Sequence, residues 1–493
     1  MILGLVLALV LIGIGVGLLG GNEDSSPVSS NPKAMALCEK GTDAAHAFKL
    51  RDAIRMLGES LELDPSLAEA SIARAYAFAR LGEMDHYKTE LARADSLTGL
   101  IEDDRRRMLA QLRLSGHHDS SYRAIGDSIL TALDMEIPED IYVLSAKAAV
   151  AARTGTPDEV EQAWKRILEV NPNHAVSYNM LGYLELNRGN YDQAIEYMQK
   201  YAFLAPDMAN PHDSLGEIYM VIGRYEDAQQ EFKKSIEMQP DFYYSIINFG
   251  KVFLARGQLD TGLEILEKVR TEVKGSMLEM QVDREIIGTY LAAGLDEDLG
   301  RTVAEFVTRY PESDMSPVYR AVSLAYQGRF FEGRAIMDST LAVWRSGESY
   351  KIYPNAKANI DRTDAMFEAI AADVAHDHAS AELYWAKTTE LFTNKIPLHE
   401  RWYFKFRYAS ALHDNGKPRK ALAVIDPILA VNNRLINLLI LKTQAHVVLG
   451  EAEAARSTLK QLQFSLQKAD KDFPARTTAQ MLEVEVSDLA VKD

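Results

Sequence analysis

Two short clusters carry the side chains that a metal site needs: Gly116-His117-His118-Asp119 and His376-Asp377-His378. Imidazole nitrogens and a carboxylate bind zinc or copper when three or four of them converge on one point. Each cluster offers only two or three groups, and each falls at a turn between predicted helices, where polar side chains are expected without any ligand. Both are read as solvated loop residues, and no metal is expected. The single cysteine, Cys38, sits among Ala34, Ala36 and Leu37 in the first predicted helix. That setting suits a small buried hydrophobe better than a reactive thiol. One cysteine also excludes an intrachain disulfide and every multi-cysteine metal site. The carboxylates are scattered along helix faces as a solvated acidic surface, and no acid–base pair can be nominated among them. No phosphate loop, dinucleotide fingerprint, HExxH helix or nucleophile elbow is present. The sequence therefore nominates no catalytic residue and no cofactor, and the chain is not expected to be an enzyme.

The elements around these residues carry a stronger signal. A chain of 493 residues exceeds one compact core, which leaves two or three domains or one extended array. Hydrophobic residues at 47% and charged residues at 25% exclude a wholly disordered chain and a polytopic membrane protein. With 29 glycines and 16 prolines, turn residues fall short of the average of about 12%, which favours helices over many short strands. The balance of 54 basic to 71 acidic residues leaves a net charge of −17. Such a chain gains no counterion-release energy from a phosphate backbone, so nucleic acid is not an expected partner. The one basic triplet, Arg105–Arg107, follows Glu102, Asp103 and Asp104 directly.

A repeat organises most of the chain. Gly155, Gly189, Gly223 and Gly257 stand 34 residues apart, as do Gly182, Gly216 and Gly250, and likewise Pro172, Pro206 and Pro240. Ala194, Ala228 and Gly262 form a fourth series. Gly182, Gly216 and Gly250 read as small residues inside a first helix where its neighbour passes close. Gly189, Gly223 and Gly257 read as left-handed caps that end that helix. The prolines follow the second helix and prepare the next first helix. Weaker copies continue the ladder at Gly82 and Gly116, at Gly294 and Gly328, and at Gly416 and Gly450. Between Gly328 and Gly416 the period is lost, although 357–392 still reads as two amphipathic helices.

Over residues 172–273 this pattern resembles the tetratricopeptide repeat. The resemblance implies an all-α, right-handed solenoid of helix–turn–helix units, about a dozen pairs in all. The array is expected over 34–273, strongest at 172–273, with degenerate TPR-like repeats at 274–486 and a tail at 487–493. By family analogy the concave groove is lined by the second, fifth, sixth and ninth positions of each repeat. In the strong copies these are Val176, Asn179, Met180 and Tyr183; Asn210, Asp213, Ser214 and Glu217; Tyr244, Ile247, Asn248 and Lys251. Asn179, Tyr183, Asp213, Glu217, Tyr244, Asn248 and Lys251 are the candidate partner-binding residues. Some family members hold chaperone tails with a Lys, Asn and Arg clamp for two carboxylates. Here Asp213 and Glu217 would repel a C-terminal carboxylate, so a helix or extended segment of another protein is the expected partner.

Residues 1–21, MILGLVLALVLIGIGVGLLGG, contain no charged side chain. About 20 helical residues span the hydrocarbon of a bilayer, and no basic residue or small-x-small site marks a cleaved signal. One transmembrane helix is therefore expected ahead of the solenoid, tethered through residues 22–33 (NEDSSPVSSNPK), with the bulk of a single-pass protein in a periplasm. Gly13, Gly17 and Gly21 form two GxxxG steps, readable as a contact with another membrane helix or as a glycine-rich single anchor. The expected function is that of a non-catalytic, membrane-tethered scaffold or accessory subunit that binds a protein partner in a cell-envelope complex. The alternative is an exported, soluble peptide- or glycan-binding protein whose signal is cleaved.

Overall fold

Caps and turns divide the chain into short helices. The computed structural model describes residues 29–115, 120–293, 296–347, 356–391 and 398–490. Within them the regular structure is helical throughout, with 25 α-helices arranged as an all-helical, TPR-like solenoid. Asp140 opens Ile141–Thr154 by accepting the N–H groups of Tyr142 at 2.8 Å and Val143 at 3.0 Å. Thr156 and Glu159 form a capping box around Pro157, the first residue of Pro157–Val170. These side chains satisfy donors that the first helical turn leaves without partners. At the other end of a first helix, Gly189 and Gly223 take φ of +84° and +78°, which any side chain would strain. Gly155 belongs to the same 34-residue series yet is extended, with φ −87° and ψ 177°. The other glycines of the series are likewise followed by one residue and a new helix, but here that helix begins with Pro157, and the residue before a proline is held extended. Thr156 has ψ 161°, whereas Asn190 after Gly189 has ψ 67°.

Packing between paired helices explains the second glycine series. A Cβ on Gly216 would lie 2.7 Å from Cε1 of Phe232, and one on Gly182 would lie 2.8 Å from Cε of Met198. The side chains that cross these bare backbones, Met198 and Phe232, are completely buried, as is Leu266 one repeat further on. They recur at the repeat spacing.

The chain forms two units. The first runs to Ile218 and adds Gln230–Ile246 and Val273–Gln281; the second comprises Tyr219–Gln229, Ile247–Glu272 and everything from Val282. In the first unit, Cys38, Ala53, Leu57, Ala73 and Tyr76 share one core. Trp164, fully buried, packs with Ile141, Leu144, Ile167 and Leu181 in another, where truncation to alanine would cost about 3–5 kcal/mol. The Phe48 carbonyl of this unit accepts from Gln239 Nε2 at 2.7 Å. In the second unit Asn432, 1% exposed, donates from Nδ2 to the Val221 carbonyl at 3.1 Å and to the Tyr225 hydroxyl at 3.3 Å. Nearby, Arg434 pairs with Glu226 at 2.7 Å. Asp470 N–H donates to the Gly257 carbonyl at 3.0 Å, and its carboxylate accepts from Asp260 N–H at 3.1 Å. Each unit thus joins turns that are some two hundred residues apart in the chain.

The expected transmembrane helix and single-pass, periplasmic placement are corrected. Among the described residues no helix is long and apolar enough to cross a membrane. The longest, Ala356–Val374, has 19 residues, but Lys357, Asp361, Arg362, Asp364, Glu368 and Asp373 would carry charge into hydrocarbon. The apolar stretch 1–21, its GxxxG steps and the start of the expected linker lie outside the described residues.

Candidate partner-binding groove

The seven candidate side chains belong to the first helices of three successive pairs. Asn179 and Tyr183 are on Ala175–Arg188, Asp213 and Glu217 on Asn210–Val221, and Tyr244, Asn248 and Lys251 on Tyr243–Ala255. Spacings of three or four residues put each set on one face of its helix. Asn179, Tyr183, Asp213, Glu217 and Tyr244 fall in the first unit, and Asn248 and Lys251 in the second.

In the first unit the structure brings Tyr183 onto the following repeat. Its hydroxyl donates to Glu217 Oε2 at 2.5 Å and lies 3.1 Å from Ser214 Oγ. Burial pushes the phenol well above its ordinary range, and the charges of Glu217 and Asp213 add to the shift, so Tyr183 stays a neutral donor. Asp213 is buried and accepts from Ser245 Oγ at 2.8 Å. Asn179 is also buried, and its Oδ1 has no hydrogen-bond partner. The ring of Tyr244 lies 6.0 Å from that of Phe242, and the Arg80 guanidinium carbon is 5.6 Å from its centre. In the second unit Asn248 is buried, and Lys251 Nζ stands 3.5 Å from Glu285 Oε1.

Several of these side chains are therefore engaged with the neighbouring repeat. They offer hydrogen bonds and charge in a fixed order. Sequence reasoning missed Ser245, Glu285 and Arg80. Glu285 follows Lys251 at the same 34-residue offset that separates Tyr183 from Glu217, so the period held that signal. Arg80 had none, because Phe48 and Tyr244 stand 32 and 164 residues from it, neither a multiple of the period.

Of the two histidine clusters, His376–His378 lies among the described residues. His376 turns the chain with φ of +56°, and its ring is 6.4 Å from that of His378. Between them Asp377 caps His378–Glu390 by accepting from Ser380 N–H at 3.1 Å. Residues 116–119 lie outside the described residues. Among the described residues no group of three or more His, Cys, Asp and Glu side chains is placed to hold a metal ion. Cys38 is 1% exposed, and burial pushes its thiol up to about 12.

Family models of the tetratricopeptide repeat match residues 163–196 and 211–242. The chain carries tetratricopeptide repeats. Asn179 and Tyr183 lie within the first matched repeat, Asp213 and Glu217 within the second. No curated protein matches the chain. Among solved structures, an O-GlcNAc transferase of Thermobaculum terrenum is 22% identical over 27% of this chain, at a TM-score of 0.25. The chain spans about a quarter of that enzyme's length, 26%. The APC/C hetero-tetramer Cut9–Hcn1 is similar at 13% identity over 91% of this chain and 84% of its own, TM-score 0.43. Yeast Tom70 is similar at 15% identity over 94% and 92% of the two chains, TM-score 0.34. Overlaps this low say nothing about what the present tetratricopeptide repeats bind.

Proposed function

We propose that the chain is a non-catalytic interaction scaffold that holds a protein partner along the first helices of its tetratricopeptide repeats. The observation that carries this reading is the placement of Asn179, Tyr183, Asp213 and Glu217 on successive first helices inside the two matched repeats. Such a surface selects a partner by hydrogen bonding, shape and charge and leaves nothing to be transformed. Asp213 and Glu217 make it acidic at its centre, which favours amide or basic side chains on the incoming segment over a free chain end.

A photo-crosslinking amino acid placed at position 179 of the full chain, in extract of the source cells, tests the proposal. A discrete protein adduct is expected, diminished when Glu217 is also replaced by Gln. Adducts that remain unchanged with Glu217→Gln, or that never form at this position while forming elsewhere on the chain, would discard this face as the binding surface.

A further inference from the structure

Arg80 lies in the last turn of Ala68–Leu81 and is only 8% exposed, yet it makes no hydrogen bond or ion pair among the described residues. Its Nε is sealed from solvent without a partner, whereas Nη1 and Nη2 are not sealed. Arg256 shows the contrast: at 3% exposure it pairs with Glu226 at 3.0 Å and donates to Gln229 at 2.8 Å. Around Arg80 the surroundings are aromatic instead. The guanidinium carbon lies 4.8 Å from the ring centre of Phe48 and 5.6 Å from that of Tyr244. Tyr76, 4% exposed, is close enough for the guanidinium charge to offset part of the upward push of burial on its phenol.

This enclosure is held in place from outside. Phe48 adopts φ of +59°, unfavourable for a side chain of its size, and the structure around it maintains the conformation. Its carbonyl accepts from Gln239 Nε2 at 2.7 Å, and its ring packs 5.4 Å from Phe242. A guanidinium taken out of water without a counter-ion is unfavourable, and contact with ring faces recovers only part of what hydration supplied.

We propose that Arg80 is the centre of a carboxylate-binding site. Rings against the guanidinium leave its in-plane N–H groups as the available donors, and that fork matches the two oxygens of a carboxylate. One guanidinium among neutral phenols balances one negative charge, whereas a phosphate dianion would leave a surplus in an enclosed site. The carboxylate is either a free organic acid or the side chain of an acidic residue in a bound segment. The site does not depend on the groove being a protein interface, because a small anion alone reveals it.

The test is fluorine NMR of trifluoroacetate with the full chain. Saturable line broadening is expected, competed by acetate and far less by inorganic phosphate at equal concentration. Arg80→Met should abolish it, and Arg80→Lys, which keeps the charge but loses the fork, should weaken it about tenfold. Arg224→Met, at an exposed arginine that stacks on Tyr219, should leave it unchanged. Should the Met variant fail to fold, the Lys variant decides. Competition by the side chain of N-acetylglutamate amide equal to that of acetate assigns the site to an acidic side chain, and competition by acetate alone assigns it to a free acid. Broadening that survives in Arg80→Met or equals wild type in Arg80→Lys, or phosphate competing as well as acetate, overturns the proposal.

Discussion

The phenol of Tyr183 donates to the carboxylate of Glu217 at 2.5 Å across two consecutive repeats, each residue holding the position that the other holds one repeat away. A hydrogen bond to a charged acceptor contributes about 1.5–3 kcal/mol, and this one joins neighbouring repeats, where a solenoid derives much of its cohesion. Tyr183→Phe and Glu217→Gln, alone and together, should show a coupling of about 1 kcal/mol in denaturant unfolding. Additive effects would mean that the pair is adjacent but not energetically linked.

Gly216 and Gly300 should respond oppositely to alanine. At Gly216 the new methyl would meet the ring of Phe232, which is fully buried and has no room to withdraw. The clash should cost about 1–3 kcal/mol, more than the helical gain from removing a glycine. At Gly300, inside Asp296–Arg309, a Cβ meets nothing within 4 Å. There the gain in helix propensity stands alone, and Gly300→Ala should stabilise by about 0.5–1 kcal/mol. Urea midpoints of the two variants on opposite sides of wild type are the expected result.

Contacts made within a repeat or between adjacent repeats were legible because they return at a fixed offset. Gly216 under a close neighbour and the left-handed Gly189 follow from the 34-residue ladder, whereas Tyr183 and Glu217 were read as facing a partner and bond to each other instead. Gly155 departed from its series because Pro157 holds the intervening Thr156 extended, a local demand that the ladder does not encode. Asn432 on Tyr225, and Arg80 against Tyr244, bring together residues from distant repeats, and no period links such partners. The uncharged apolar run 1–21 suggested a span from its length and composition, and it lies outside the described residues. The described helices bury one face and keep charge on the other, so length never coincides with an uninterrupted apolar surface.

Asn432 is the polar centre of the long-range contact in the second unit. Replacement by alanine removes a donor from the Val221 carbonyl and the Tyr225 hydroxyl, both of which meet a fully buried side chain. A loss of about 1–3 kcal/mol is expected, and Asn432→Asp should not rescue it, since a carboxylate cannot donate. Hydrogen exchange should quicken in Tyr225–Met238 before it does in Pro157–Val170. Equal acceleration in both helices would show general destabilisation instead of release of this contact.

Cys38 should be inert in the folded chain. Burial shifts its thiol from an ordinary 9.0 to about 12, which cuts the thiolate fraction near neutral pH by about a thousandfold. Iodoacetamide should leave Cys38 unmodified under native conditions and label it stoichiometrically in denaturant. Rapid native labelling would show that the core around Leu57 opens readily.

His46 sets an acid limit on the first unit. It ends Pro32–His46, where the helix dipole favours an imidazolium. Burial acts against that charge, Arg113 repels it, and together they lower the group from 6.5 to about 3. Nε2 is sealed without a partner, so a proton added there has nothing to donate to. Because the folded value is depressed, the stabilisation is fully present above pH 6.5 and is lost as pH falls toward 3. Over that window the unfolded chain binds one more proton, and stability should fall by about 1.4 kcal/mol per pH unit from this group alone. His46→Gln removes the titration while keeping a polar side chain of similar reach. Whatever its stability at neutral pH, its slope between pH 6 and 4 should be shallower than that of wild type by about one proton. Parallel slopes in urea titrations across that range would assign acid sensitivity to other groups and refute a neutral His46.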